Sequence, residues 1–141
     1  MSGCNFHCKN CFNKEYQNFE YGKPFDEDAF QHFIDLGKHK YIKGYSILGG
    51  EPFQQDAFVL YCLVREIKKQ TGKSIWIWTG YNFEDIPKQY FPIVKFVDVI
   101  VDGQFIDSKK DLMLKFRGSS NQRIIDVQKT LEEKKIILFD I

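Results

Sequence analysis

Between Asp26 and Gly103 the sequence switches repeatedly between helical apolar spacing and short β-branched runs, and this alternation narrows its fold more than any other feature. Ala29, Phe30, Phe33 and Ile34 recur at helical spacing behind Asp26, a capping residue, with Glu27 and Asp28 suited to a first turn. "YSIL" (45–48) follows as a short strand ending in Gly49-Gly50. Asp56 opens the clearest helix, in which Val59, Leu60, Leu63, Val64 and Ile67 form one apolar stripe and Gly72 supplies the terminator. "SIWIWT" (74–79) reads as a second strand running into a Gly80-Tyr81 turn. A short helix over Glu84 to Tyr90, stopped before Pro92, and a buried strand in "VDVIVDG" (97–103) come next. "RIIDV" and "KIILF" offer two further strands. The alternation predicts an α/β layout with a largely parallel sheet. In such sheets ligands gather beyond the carboxyl ends of the strands, where both "GGE" and "TGY" fall.

At 141 residues the chain is the size of one domain with a real core. Its 20 basic and 19 acidic residues leave a net charge of +1, so it has no polyanion-seeking field, and nucleic acid is not an expected partner. No apolar run approaches the ~20 residues needed to cross a bilayer, and the first residues lack the regions of a secretory signal. The expectation is a cytoplasmic protein without a membrane partner.

Three of the four cysteines, Cys4, Cys8 and Cys11, lie at C-x3-C-x2-C spacing in "CNFHCKNCFN". A disulfide staple, a zinc site and an iron–sulfur site compete for them. Reducing surroundings disfavour the staple. Structural zinc wants four closed ligands, and His7, the nearby candidate, directly precedes Cys8, a poor arrangement for binding one ion together. A four-iron cluster held by three cysteines keeps one iron open, as a reactive centre requires. Cys62 falls near the apolar stripe of the long helix and reads as core packing; His32 and His39 read as surface residues. "KQTGKS" fails as a phosphate loop, because the first glycine of that motif would fall at Ile67.

The cysteine spacing resembles the cluster motif of radical S-adenosylmethionine (radical SAM) enzymes, and Gly49-Gly50-Glu51-Pro52 resembles their "GGE" motif. Asn10 stands where many of them carry an aromatic residue. "GCNFHCKNCFN", "GGEPF", "WIWTGY", "VDGQF" and "FRGSSNQR", spanning Gly3 to Arg123, are similar to the successive signature blocks of the activating proteins of anaerobic ribonucleoside-triphosphate reductases. That subgroup usually carries an N-terminal segment with a first strand before its "SGC" block, whereas this sequence opens on Met1-Ser2-Gly3. The expectation is therefore a single radical SAM domain over 1–141 without that strand.

The resemblance implies a small open partial (βα) barrel and one [4Fe–4S] cluster on Cys4, Cys8 and Cys11. It implies an oxidoreductase that cleaves S-adenosylmethionine reductively, with a flavodoxin-type electron donor. The large reductase subunit, which receives a glycyl radical, is the implied partner. Asn10, Cys11, Phe12, Gly49, Gly50, Glu51, Thr79 and Tyr81 are the implied cofactor-binding residues, Gly80 sharing their pocket. Gly49 and Gly50, lacking Cβ, would let backbone approach the ligand's amino group, and Glu51 would orient its ammonium. The alternatives are an activase of another glycyl-radical enzyme, a small-metabolite radical SAM enzyme, or a non-catalytic zinc-binding module. "RGSSNQR" is a candidate docking loop, its alternative being a cap on the end of the sheet.

Overall fold

In the computed structural model, which describes residues 1–11 and 13–141, the helical stripes and β-branched runs become one layer of helices against one face of a sheet. Helix α1 (Glu27–Leu36) starts at Asp26, whose side chain accepts the Ala29 N–H. Helix α2 (Ala57–Thr71) starts at Asp56, which accepts from Val59 N–H, and ends at Gly72 in the left-handed conformation. Both caps satisfy amide groups that a helix cannot satisfy itself. Leu60, Leu63, Val64 and Ile67 of α2 are buried, while Val59, at 43% exposure, lies off the stripe.

Four strands, β1 (Gly44–Ile47), β2 (Ser74–Trp78), β3 (Val99–Asp102) and β4 (Arg123–Asp126), stand side by side in chain order. β1, β2 and β3 pair in parallel, and β4 runs antiparallel to β3. The sheet is thus open and mixed, not mostly parallel: the connection from β3 to β4 contains no α-helix to carry the chain back across the sheet, so β4 returns in the opposite direction. "KIILF" forms only an isolated bridge, Ile125 to Leu138, along the outer edge of β4.

Ile75 and Ile77 of β2 face the helices and join Ile34, Tyr45, Ile47, Val64, Ile67 and Ile100 in the main core. The opposite face carries Trp76 and Trp78, with Phe116 and Phe139 against the Trp76 ring at 5.1 and 5.3 Å between centroids. Two expectations need correcting. In place of a helix over 84–90 there are 3-10 turns at Phe83–Asp85 and Lys88–Tyr90, followed by helix α3 (Phe91–Val94). Pro92 occupies its first turn, where the missing N–H costs nothing, so it opens a helix and does not stop one. "RIIDV" runs without a break into helix α4 (Val127–Glu133), capped by Asp126 through the Lys129 N–H. Lys73, from the failed phosphate-loop motif, donates to the carbonyls of Gly37, His39 and Ile42 at 2.6 to 2.8 Å and ties the turn after α1 to β2. No helix among the described residues is long and apolar enough to cross a membrane.

Candidate functional site

The cysteine segment is a loop pinched at its base. Gly3 N–H donates to the Tyr16 carbonyl at 2.6 Å and Cys4 N–H to that of Gln17 at 3.1 Å. Within the loop Cys11 N–H donates to the Cys8 carbonyl at 3.2 Å, closing a turn in which Asn10 takes a left-handed φ of 57°, a conformation asparagine tolerates well. Beside it opens a cavity of about 490 Å3 lined by His7, Cys8, Asn10, Cys11, Lys14 and Gln17. Phe12 lies outside the described residues.

All four cysteines are free thiols, so the staple reading is set aside. Cys4 and Cys8 donate to the Phe6 carbonyl and to Gln104 Oε1, each at 3.7 Å. Burial pushes both thiols above their usual range, so bound positive charge would relieve a real cost of forming the thiolates. Among the described residues no three His, Cys, Asp or Glu side chains are drawn to a common centre. His7, the extra ligand zinc would need, has Nδ1 3.0 Å from Gln17 Oε1. Three soft thiols on one loop beside an open cavity are a donor set that fits a four-iron cluster with one iron left free. Cys62 sits half-exposed on α2, beside the buried stripe and not within it; His32 and His39 are exposed.

The parallel strands β1, β2 and β3 deliver Gly49-Gly50-Glu51, Thr79-Gly80-Tyr81 and Gly103-Gln104 to one edge of the sheet. There the cysteine loop is fastened to them. Gly50 N–H donates to the Met1 carbonyl and Glu51 N–H to that of Gly3, at 2.9 and 2.8 Å. A Cβ on Gly50 would stand 2.5 Å from the Gly3 oxygen, and one on Gly49, at φ +118°, 2.5 Å from that of Met1. The close approach these glycines permit is therefore that of the chain leading into the cysteine loop. Gly80 has the same role, since a Cβ there would meet the Phe6 ring at 2.7 Å. Phe6 packs edge-on against Tyr81 with centroids 5.0 Å apart.

Glu51 is almost completely buried and is surrounded by donors. Its carboxylate accepts from Thr79 Oγ1 (2.7 Å), Gly80 N–H (2.6 Å) and Phe53 N–H (3.0 Å). Burial raises its pKa above the carboxylate range, and these donors pull it part of the way back. Gln54 and Gln55, which carried no signal in the sequence, complete the attachment. Gln54 accepts from Asn5 N–H at 2.5 Å and donates to the Tyr81 hydroxyl at 3.3 Å, while Gln55 Nε2 donates to the Gly3 and Glu51 carbonyls, both at 3.0 Å.

The "RGSSNQR" segment caps its own end of the sheet. Arg117 donates to the Gln122 carbonyl, Gln122 Oε1 accepts from Gly118 and Ser119 N–H, and Gln122 Nε2 donates to the Gly103 carbonyl. Arg123 is held by the buried Asp102 and by Glu84, whose negative charges push its pKa upward. Arg117 Nη1 and the Arg123 guanidinium are thus engaged internally, as the sheet-capping alternative expects, while Arg117 Nε has no hydrogen-bond partner among the described residues.

A family model described as a 4Fe-4S single cluster domain matches residues 1–125. The chain is 36% identical over 128 residues to the anaerobic ribonucleoside-triphosphate reductase-activating protein of Haemophilus influenzae, covering 88% of this chain and 83% of that protein. It is 36% identical over 126 residues to the protein of that name from Escherichia coli K12 (86% and 82% covered). With that of enterobacteria phage T4 the identity is 35% over 128 residues (88% and 79% covered). No solved structure matches. The cysteine loop, its attachment to the strand ends and the extent of these matches lead to one conclusion: the chain belongs to the family of anaerobic ribonucleoside-triphosphate reductase-activating proteins.

Proposed function

We propose that this protein activates an anaerobic ribonucleoside-triphosphate reductase by generating a glycyl radical on its large subunit. Thiolates of Cys4, Cys8 and Cys11 would hold a [4Fe–4S] cluster, and S-adenosylmethionine would occupy the neighbouring strand ends. When bound, cluster and cofactor supply reductive cleavage of the sulfonium to methionine and a 5′-deoxyadenosyl radical that takes a hydrogen atom from the partner's glycine. A flavodoxin-type protein in the cytoplasm would provide the electron, and one radical SAM domain of open partial-barrel type would carry the activity.

The chain's own residues bind and orient. Asn10 and Phe12 flank Cys11 and would border the adenosyl moiety. Gly49 and Gly50 seat residues 1–3 against the strand end and would offer backbone alone to the cofactor, Thr79 and Tyr81 would form the adjoining wall, and Glu51 ties the two turns together. What supports this reading above all is the fastening of the cysteine loop to residues 51–55 by hydrogen bonds at Gly3 and Asn5, and of Glu51 in turn to Gly80, with Phe6 packed on Tyr81.

The test is anaerobic reconstitution with iron and sulfide, followed by measurement of bound iron, labile sulfide and 5′-deoxyadenosine. Cys4→Ala, Cys8→Ala and Cys11→Ala should each abolish cofactor cleavage, and Cys62→Ala should retain it. Stoichiometric zinc without labile sulfide, or loss of the cluster only in Cys62→Ala, would refute the assignment.

A further inference from the structure

Gln104, just beyond the end of β3, reaches the cysteine loop although it is 96 residues away from Cys8 in the chain. Its side-chain oxygen accepts from the Cys8 thiol at 3.7 Å. Its backbone is fixed independently: Asn121 Nδ2 donates to the Gln104 carbonyl at 2.8 Å, and Gln122 Nε2 to the neighbouring Gly103 carbonyl at 2.9 Å. The loop after β3 thus brings one side-chain amide to a cysteine sulfur, and the asparagine and glutamine of "RGSSNQR" hold that loop in place.

Resting on the cluster reading above, we infer that Gln104 is a positioning and tuning residue for the iron–sulfur centre, donating its amide N–H to the sulfur of Cys8. A primary amide offers both an acceptor and two donors on one planar group. Against a thiol it accepts, as in this structure; against a thiolate, which has no proton to give, a half-turn about its last torsion presents Nε2 in place of Oε1. A donor on a cluster sulfur withdraws charge from it and favours the reduced cluster, so the hydrogen bond raises the reduction potential. The two other cysteine sulfurs receive no such side chain among the described residues. The centre is therefore tuned from one side, through a residue that need not touch iron or cofactor.

The experiment compares reconstituted wild-type protein with Gln104→Leu and Gln104→Glu, using iron and sulfide content and a redox titration followed by electron paramagnetic resonance. Leucine removes the donor and glutamate replaces it with an ionised acceptor, so both should lower the midpoint potential, glutamate further. For leucine the expected change in the reduction equilibrium is about three- to tenfold, or ~30 to 60 mV for one electron. Asn121→Ala, which frees the Gln104 backbone without altering its amide, should shift the potential in the same direction by less. Full cluster content with unchanged potential in both Gln104 variants would overturn this inference and leave the cluster reading intact. Failure of the wild-type protein to take up iron and sulfide would overturn both.

Discussion

At the scale of single residues, Glu51 joins two strand-end turns through an ionisable group that burial disfavours in its charged form. Its raised pKa fixes the sign of a pH effect. Between the unfolded-state value near ~4.3 and the higher folded value, the native protein binds more protons than the unfolded chain. The stability Glu51 contributes is fully present below the unfolded value and is lost as pH rises through the folded one. Urea unfolding of the metal-free protein at a series of pH values should show the stability difference between wild type and Glu51→Gln changing across that window, wild type losing ground as pH rises. A difference independent of pH would show that the carboxyl titrates alike in both states. The sequence marked Glu51 through the motif around it. Its burial and two of its donors, Thr79 and Gly80, were not legible, because these lie 28 and 29 positions away and only the sheet brings them near.

Among elements, the contact that matters most is between the segment 1–3 and the turn after β1. Gly50 is where backbone meets backbone, so a methyl group has no flexible neighbour to displace. Gly50→Ala should cost on the order of 1–3 kcal/mol, typical of forced overpacking. It should also lower iron loading, because the strain falls on the base of the cysteine loop. Iron content after reconstitution and a urea midpoint check this, and a variant with full loading and unchanged midpoint would show that the two segments part freely. The same elements show what the sequence disclosed. α1, α2 and the three parallel strands were legible to within a residue or two, since capping aspartates and apolar spacing are local signals. The antiparallel return of β4 and the merging of strand and helix at Asp126 were not, because the direction of a strand is set by its connection and partner and not by its own residues. The proline at 92 misled for a related reason: it is a breaker inside a helix and a starter in its first turn.

For the whole molecule, helices cover one face of the sheet, tryptophans line part of the other, and the chemistry-bearing loops are gathered at the carboxyl edge of three parallel strands. That gathering brings together motifs far apart in sequence, such as Glu51 and Gly80, 29 positions apart. It also leaves "RGSSNQR" as a brace for the β3–β4 end of that edge, a role readable only once Gln122 and Asn121 are seen bonded to Gly103 and Gln104. The central claim is radical transfer to a reductase, and the most direct measurement is electron paramagnetic resonance of the large reductase subunit after anaerobic incubation with the reconstituted protein, S-adenosylmethionine and reductant. The account predicts a glycyl radical doublet that appears only with all components, disappears with Cys8→Ala and is accompanied by 5′-deoxyadenosine. Cofactor cleavage at full rate with no glycyl radical on the subunit would contradict it.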